Sequence, residues 1–230
     1  MFNIKKQIVI LLTVALTGCT APPTTGTQNF DFETDDHGFT AIFADYPMGE
    51  DVDQFYELKH EWTVLPTKDG KGLFLSGNNH SDDLFMGYFK EFSGFTAGHI
   101  YEFQVNFRLA TNVEGGMIGV GGSPGSSVFV KGGVTSTKPQ CIDNGQNQFL
   151  LNLDKGNQGV GGQDMLLLGN IEKEEALHPG QYEWKQFEFS VRAKADKAGC
   201  VWLIIGTDSG FEATSSYYLD DISLSWRDVT

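Results

Sequence analysis

The sequence predicts an all-β domain, an antiparallel sandwich or barrel. Apolar residues recur at every second position rather than every third or fourth. Residues 101–109 show this best, with apolar odd positions and polar even ones, as expected where one strand face meets the core and the other meets water. The apolar runs are short and separated by Gly-, Asn- and Asp-rich turns, which 28 glycines make possible. No long segment carries a helical period, and no repeat or second domain is visible.

The chain opens with Lys5 and Lys6, an apolar run over 8–16, and small residues leading to Cys19. A basic start, a short apolar stretch and a small-residue cleavage site describe an exported precursor. The run is too short to span a bilayer, which takes about 20 apolar residues. Leu16-Thr17-Gly18-Cys19 resembles the lipobox of bacterial lipoproteins. That resemblance implies a signal peptide over 1–18, diacylglycerol on the Cys19 thiol and acylation of its new amino group. The mature chain would be held to a lipid bilayer by acyl chains without spanning it, since two or more chains anchor stably. Thr20 after the cysteine, in place of Asp, implies sorting to the outer membrane by the same resemblance. Residues 19–28, with Pro22-Pro23, read as the lipidated cysteine and an extended, solvated linker.

One domain is expected over 29–228, a length that suits a single β-sandwich. Strands are expected at 30–34, 38–43, 55–64, 72–76, 84–92, 101–109, 117–121, 128–134, 149–153, 165–168, 182–191, 201–206 and 217–226. A single helical turn fits 171–177.

The formal net charge of −14 becomes about −16 once the two signal lysines leave. An acidic surface repels nucleic acid and anionic headgroups, which require Lys/Arg patches, so nucleic acid is excluded as a partner. Beyond Cys19 only Cys141 and Cys200 remain. Outside the cytoplasm an even pair makes them disulfide candidates, with a closed loop of about 60 residues and a stabilisation of roughly 4 kcal/mol in the chain-entropy account.

The two ends of the domain carry a further pattern. Phe30-Asp31-Phe32-Glu33 and Gly38-Phe39 stand at the start, and Tyr217-Tyr218-Leu219-Asp220-Asp221-Ile222-Ser223-Leu224 at the close. These strings resemble the galactose-binding-like jelly rolls that include many carbohydrate-binding modules. The resemblance implies a jelly-roll β-sandwich whose first and last strands lie side by side. It also implies a structural Ca²⁺ held by Glu33 and Asp220, with Asp221 as the substitute, plus backbone carbonyls. Ca²⁺ takes six to eight oxygen ligands, and two carboxylates brought together by strand pairing would otherwise repel. The usual Trp of the opening is Phe39 here. The middle of the chain is similar to an uncharacterised group of exported bacterial proteins, a likeness that brings no activity.

Polar, Gly-dense loops at 76–83, 119–125, 152–158 and 206–212 supply the chemistry-bearing side chains. Asn78, Asn79, His80, Asp82 and Asp83 are ligand-binding candidates, and His80, Asp82 and Asp83 could also bind a metal or serve as acid/base groups, but adjacent Ser81, His80 and Asp82 cannot converge as a catalytic triad. Asp154, Asp208 and Glu212 could supply a carboxylate pair for glycoside cleavage, or serve as loop-stabilising Asx turns. No zinc spacing occurs, and 119–125 lacks the Lys-Ser/Thr and following helix of a phosphate loop. Sugar binding needs aromatic platforms beside amides and carboxylates, for which Trp62 and Trp184 are candidates. Tyr56, Tyr88, Tyr182 and Phe211 are also available, while Trp202 and Trp226 fall inside apolar strands.

Three functions remain open at this point. The first is a non-catalytic glycan binder at the envelope, expected to show an exposed aromatic strip beside polar side chains. The second is an envelope polysaccharide-degrading enzyme, expected to show a cleft where the carboxylates converge. The third is a structural lipoprotein with a broad apolar patch for an envelope protein partner. The first is the leading expectation.

Overall fold

The computed structural model describes residues 24–49, 51–173 and 178–230. The signal peptide, Cys19 and the linker up to residue 23 lie outside these residues, as does most of the expected turn at 171–177. Fourteen strands and one short helix follow in order. They are β1 (Thr25–Phe30), β2 (Thr40–Ala44), β3 (Tyr46–Pro47), α1 (Val52–Phe55), β4 (Lys59–Val64), β5 (Lys71–Asn78), β6 (Leu84–Ser93) and β7 (Ile100–Thr111). Then come β8 (Val128–Thr135), β9 (Cys141–Asp143), β10 (Gln148–Leu151), β11 (Leu166–Asn170), β12 (Glu183–Lys194), β13 (Cys200–Ser209) and β14 (Thr214–Asp228). Among the described residues no helix is long and apolar enough to cross a membrane.

Two antiparallel sheets form a β-sandwich. The first runs β12-β7-β14-β5-β4, with β1 also paired to β14, and the second runs β11-β8-β13-β6-β2. Alternation does the assembly work. Tyr101, Phe103, Val105, Phe107 and Leu109 turn inward from β7, and Val201, Leu203 and Ile205 turn inward from β13, all within one core. Burying each large side chain contributes roughly 1.5–3 kcal/mol, offset by the entropy of ordering it.

A third layer covers the second sheet. The small sheet β3-β10-β9 and the loop after it lay Leu151, Leu153 and Met165 on Ile42, Phe85 and Ile204, making a second apolar cluster. Glycine permits the contact: a Cβ on Gly133 would run into the carbonyl of Asp164. Among the described residues the first sheet has no such cover. Gln104, Gln186, Glu188, Ser190 and Arg192 stand exposed on its outer face.

The last strand is long enough to serve two partners on one edge. Its first half pairs with β5 and its second half with β1, in register Thr25↔Arg227 to Phe30↔Ile222. The first and last strands therefore do lie side by side. A bulge falls between Asp220 and Ser223, where Asp221 adopts φ 48°.

Several expectations are corrected. The extended linker was expected to reach residue 28, but Thr25–Phe30 is strand β1, which takes in the last four of those residues. The strand expected at 30–34 stops at Phe30, because Phe32 takes φ 56° and turns into the core from a bend. The strand expected at 55–64 starts only at Lys59, because Val52–Phe55 forms helix α1, leaving Phe55 exposed. No strand forms at 117–121, where Ile118 is 97% exposed. The disulfide is absent: Cys141 and Cys200 are both free, one exposed on β9 and one buried in the second sheet.

Candidate functional site

The uncovered face of the first sheet carries one continuous row of outward side chains. Strand register sets it: Trp184 faces Ala110, Ala110 faces Tyr218, Tyr218 faces Phe74, and Phe74 faces Glu61. Three strand steps of about 4.8 Å separate Trp184 from Phe74, a row of roughly 14 Å. Tyr218 lies 4.9 Å from Phe74 between ring centroids and packs edge-on to Tyr182 at 5.6 Å. All four aromatics are half-buried, whereas Ala110, small and between them, is covered. Alternation puts them there, since Tyr217 and Leu219 on either side of Tyr218 point into the core.

The next row along the strands is polar: Gln186 faces Arg108, and Arg108 faces Asp220. The Arg108 guanidinium lies over Trp184 at 4.1 Å from the ring centroid and donates to Asp220 Oδ2 from Nη2 at 2.6 Å and from Nε at 3.2 Å. It also pairs with Asp221 at 2.9 Å. Burial pushes the Asp220 carboxyl up, against the pull of Arg108. Burial likewise raises the Tyr218 phenol, so it stays a neutral hydrogen-bonding hydroxyl. Further along, the same face holds Glu102 between Arg192 and Arg227, with no aromatic residue.

This arrangement bears on the expected Ca²⁺. Asp220 Oδ1 accepts from the Asp221 N–H at 2.8 Å and Oδ2 is taken by Arg108. Glu33 packs its carboxylate against Gly70 in the β4–β5 turn. Glu33, Asp220 and Asp221 do not close into one group of ligand atoms; the cation facing Asp220 and Asp221 is Arg108.

The carboxylates that do converge are elsewhere. Asp45, Asp83 and Asp208 bring oxygens within 4.8 Å of one another, a cluster that could hold a metal ion. An ammonium already stands there: Lys155 Nζ lies 2.8 Å from Asp208, 3.1 Å from Asp45 and 3.8 Å from Asp83. Lys131, fully buried, donates to Asp208 at 2.8 Å and to the carbonyls of Lys155 and Val160. Asp208 is buried too, which alone would raise its carboxyl, but Lys155, with help from Asp83 and Lys131, holds it below the usual range. Asp83 goes the other way: burial and the Asp208 charge push it up to about 8. Asp45 is also raised by burial, against Lys155. These ions tie the third layer to the second sheet. With no exposed surface, Asp208 cannot meet a polymer.

The remaining loop residues do local work. Asp154 accepts from the N–H groups of Gly156 and Gln163, which lowers its carboxyl. Asn79 is buried, donating to the Ser209 carbonyl at 2.9 Å and accepting from the Ser81 N–H. Asn78 bonds Glu57, and His80 packs on Phe55 at 4.5 Å. Asp82 offers its carbonyl to Gln158, and the Glu212 N–H donates to Val120. Trp62 sits at the edge of the sandwich, its Nε1–H donating to the Phe32 carbonyl at 2.7 Å. Of the aromatics the sequence offered for sugar binding, Trp184 lies in the row and Tyr182 packs against it. Phe74, Ala110, Arg108 and Tyr218 escaped sequence reading, although the period-2 pattern already turned them outward.

No protein-family model matches the chain, and no curated protein sequence matches it either. Solved structures with a similar fold include carbohydrate-binding modules. The mannan-recognising module TmCBM27 is 16% identical, covering 88% of this chain and 98% of its own, at a TM-score of 0.40. Module CBM27-1 of Caldicellulosiruptor saccharolyticus, in complex with mannohexaose, is 12% identical over 86% and 96%, at 0.38. The Clostridium thermocellum xylanase 10B, with its CBM22-1 module and xylohexaose, is 14% identical over 88% of this chain but only 28% of its own, at 0.42. The likeness is one of sandwich architecture.

Proposed function

We propose that this chain is a non-catalytic glycan-binding domain tethered to the bacterial envelope, which takes its ligand on the open face of the first sheet. The observation that supports this reading is the in-register row Trp184–Ala110–Tyr218–Phe74 with Tyr182 against it. A row of half-buried aromatic rings suits the C–H faces of sugar rings, and Arg108, Gln186 and Glu61 at its borders offer hydrogen bonds to hydroxyls. Arg108 is neutralised by two carboxylates, which favours uncharged glycans over acidic ones.

Isothermal titration with xylohexaose, mannohexaose and β-1,4-galactotriose tests it. One of these or a related neutral glycan binds, and Trp184→Ala or Tyr218→Ala weakens it about tenfold or more, as loss of a central aromatic anchor does. Binding that survives both substitutions rules out the row as the site.

Anchoring belongs to the same reading, on the strength of Leu16-Thr17-Gly18-Cys19. Strand β1 begins at Thr25, beside Arg227 and, across β14, Glu102, while the aromatic row crosses β7 at Ala110. Eight residues at about 3.4 Å hold the row roughly 27 Å from the point where a tether enters. Ca²⁺ on Glu33, Asp220 and Asp221 would act here as a competitor of Arg108. Melting in EDTA and in Ca²⁺ separates the two: a Ca²⁺-dependent rise lost in Glu33→Ala assigns the ion, and no response leaves Arg108 as the only cation at Asp220.

A further inference from the structure

At the open edge of the sandwich, where β4 ends one sheet and β2 begins the other, the two sheets part around a cavity of about 240 Å³. Its floor is Leu73 and Tyr88, its walls are Trp62 and Phe39, and its rim carries His60 and Asp36. The floor and the Phe39 wall are buried and fixed. The Tyr88 hydroxyl donates to the Phe74 carbonyl at 3.0 Å. Trp62 is pinned by its bond to Phe32 and by Lys71, whose Nζ lies 3.8 Å from the ring centroid.

The rim groups are differently placed. His60 is exposed, and its described contact is the Phe43 ring at 6.3 Å, with no hydrogen bond among the described residues. Asp36 spends one carboxylate oxygen on the Gly38 N–H and keeps the other for solvent. Rigid aromatic walls below a free imidazole edge and a carboxylate with one oxygen to spare are the profile of a small-ligand site.

We infer that this edge cavity is a second binding site, separate from the aromatic row, for a single neutral or amino-bearing sugar ring. The volume admits one ring and not a chain. The Trp62 and Phe39 surfaces take its C–H face, while His60 and Asp36 receive its hydroxyl or amino hydrogens. The carboxylate and the acidic chain, with a formal charge of −14, work against anionic sugars. Glu61 and Trp62 are neighbours on β4 that face opposite ways, so one edge strand separates the two sites.

Saturation-transfer NMR with galactose, mannose, N-acetylglucosamine, glucosamine and glucuronic acid tests the assignment on the lipid-free chain from Thr20. At least one neutral or amino sugar gives transfer signals that persist in Trp184→Ala/Tyr218→Ala. The same signals fall at least fivefold in His60→Ala and in Asp36→Asn, surface substitutions that leave the melting midpoint unchanged. Glucuronic acid gives none. Absence of any monosaccharide signal, signals indifferent to His60 and Asp36, or signals abolished by the Trp184/Tyr218 change would each overturn the second site. Signals indifferent to His60 and Asp36 bear on the cavity alone, whereas signals abolished by the Trp184/Tyr218 change move the monosaccharide to the row.

Discussion

At Asp83 the carboxyl lies beside Asp208 and 3.8 Å from Lys155, partly exposed at the margin of the buried ions. Its pKa of about 8 stands above the ordinary 3.8. Between those values the folded chain keeps a proton that the unfolded chain releases. The stability this group contributes is full in acid and is lost as pH rises from about 4 toward 8. Asp83→Asn removes that dependence. Discounting for partial exposure, we expect a melting midpoint about 2–4 °C above the parent at pH 8 and little different near pH 4, which thermal scans across pH would show. Equal slopes for both chains would mean that Asp83 ionises freely. The buried lysines are the opposite case. Removing Lys155 leaves Asp208 and Asp45 without their shared cation, a loss of about 3–5 kcal/mol for a broken buried pair, measurable by urea unfolding.

Among the elements, the loop over 152–165 and the small three-stranded sheet have a job that their composition concealed. Their glycines and polar residues look like a ligand loop, but the structure uses them to cover the second sheet. Gly133 is the contact point, because only a residue without Cβ lets the Asp164 carbonyl come that close. Gly133→Ala should lift the loop while leaving the main core intact. Hydrogen exchange would then speed up over 152–165 and stay slow in β7 and β13. Uniform loss of protection would show that the third layer and the sandwich unfold as one unit.

For the whole molecule, one covered sheet and one open sheet give the sandwich a direction. The start of β1 and the aromatic row lie at opposite ends of the first sheet, so under the proposed anchoring the row would face away from the bilayer. Cys19→Ala should move the protein from the membrane fraction to the soluble one and abolish incorporation of labelled palmitate. Glycan binding by the released protein should stay unchanged. Membrane retention of that variant would sink the lipid anchor.

The all-β class was legible because alternation is a local property: 101–109 shows its inward and outward faces in nine residues. The adjacency of first and last strands was legible too, through the strings at 30–33 and 217–224. Tertiary structure decided what these features do. Asp208 reads in sequence as a loop carboxylate, yet it is sealed under Lys155, a residue 53 positions away. Trp184, Tyr218 and Phe74 come from three strands far apart in the chain, and only cross-strand register makes them one row. Alternation tells which way a side chain points, but not which strand lies beside it or whether another layer covers it. Those depend on pairing between distant segments, and no local pattern encodes them.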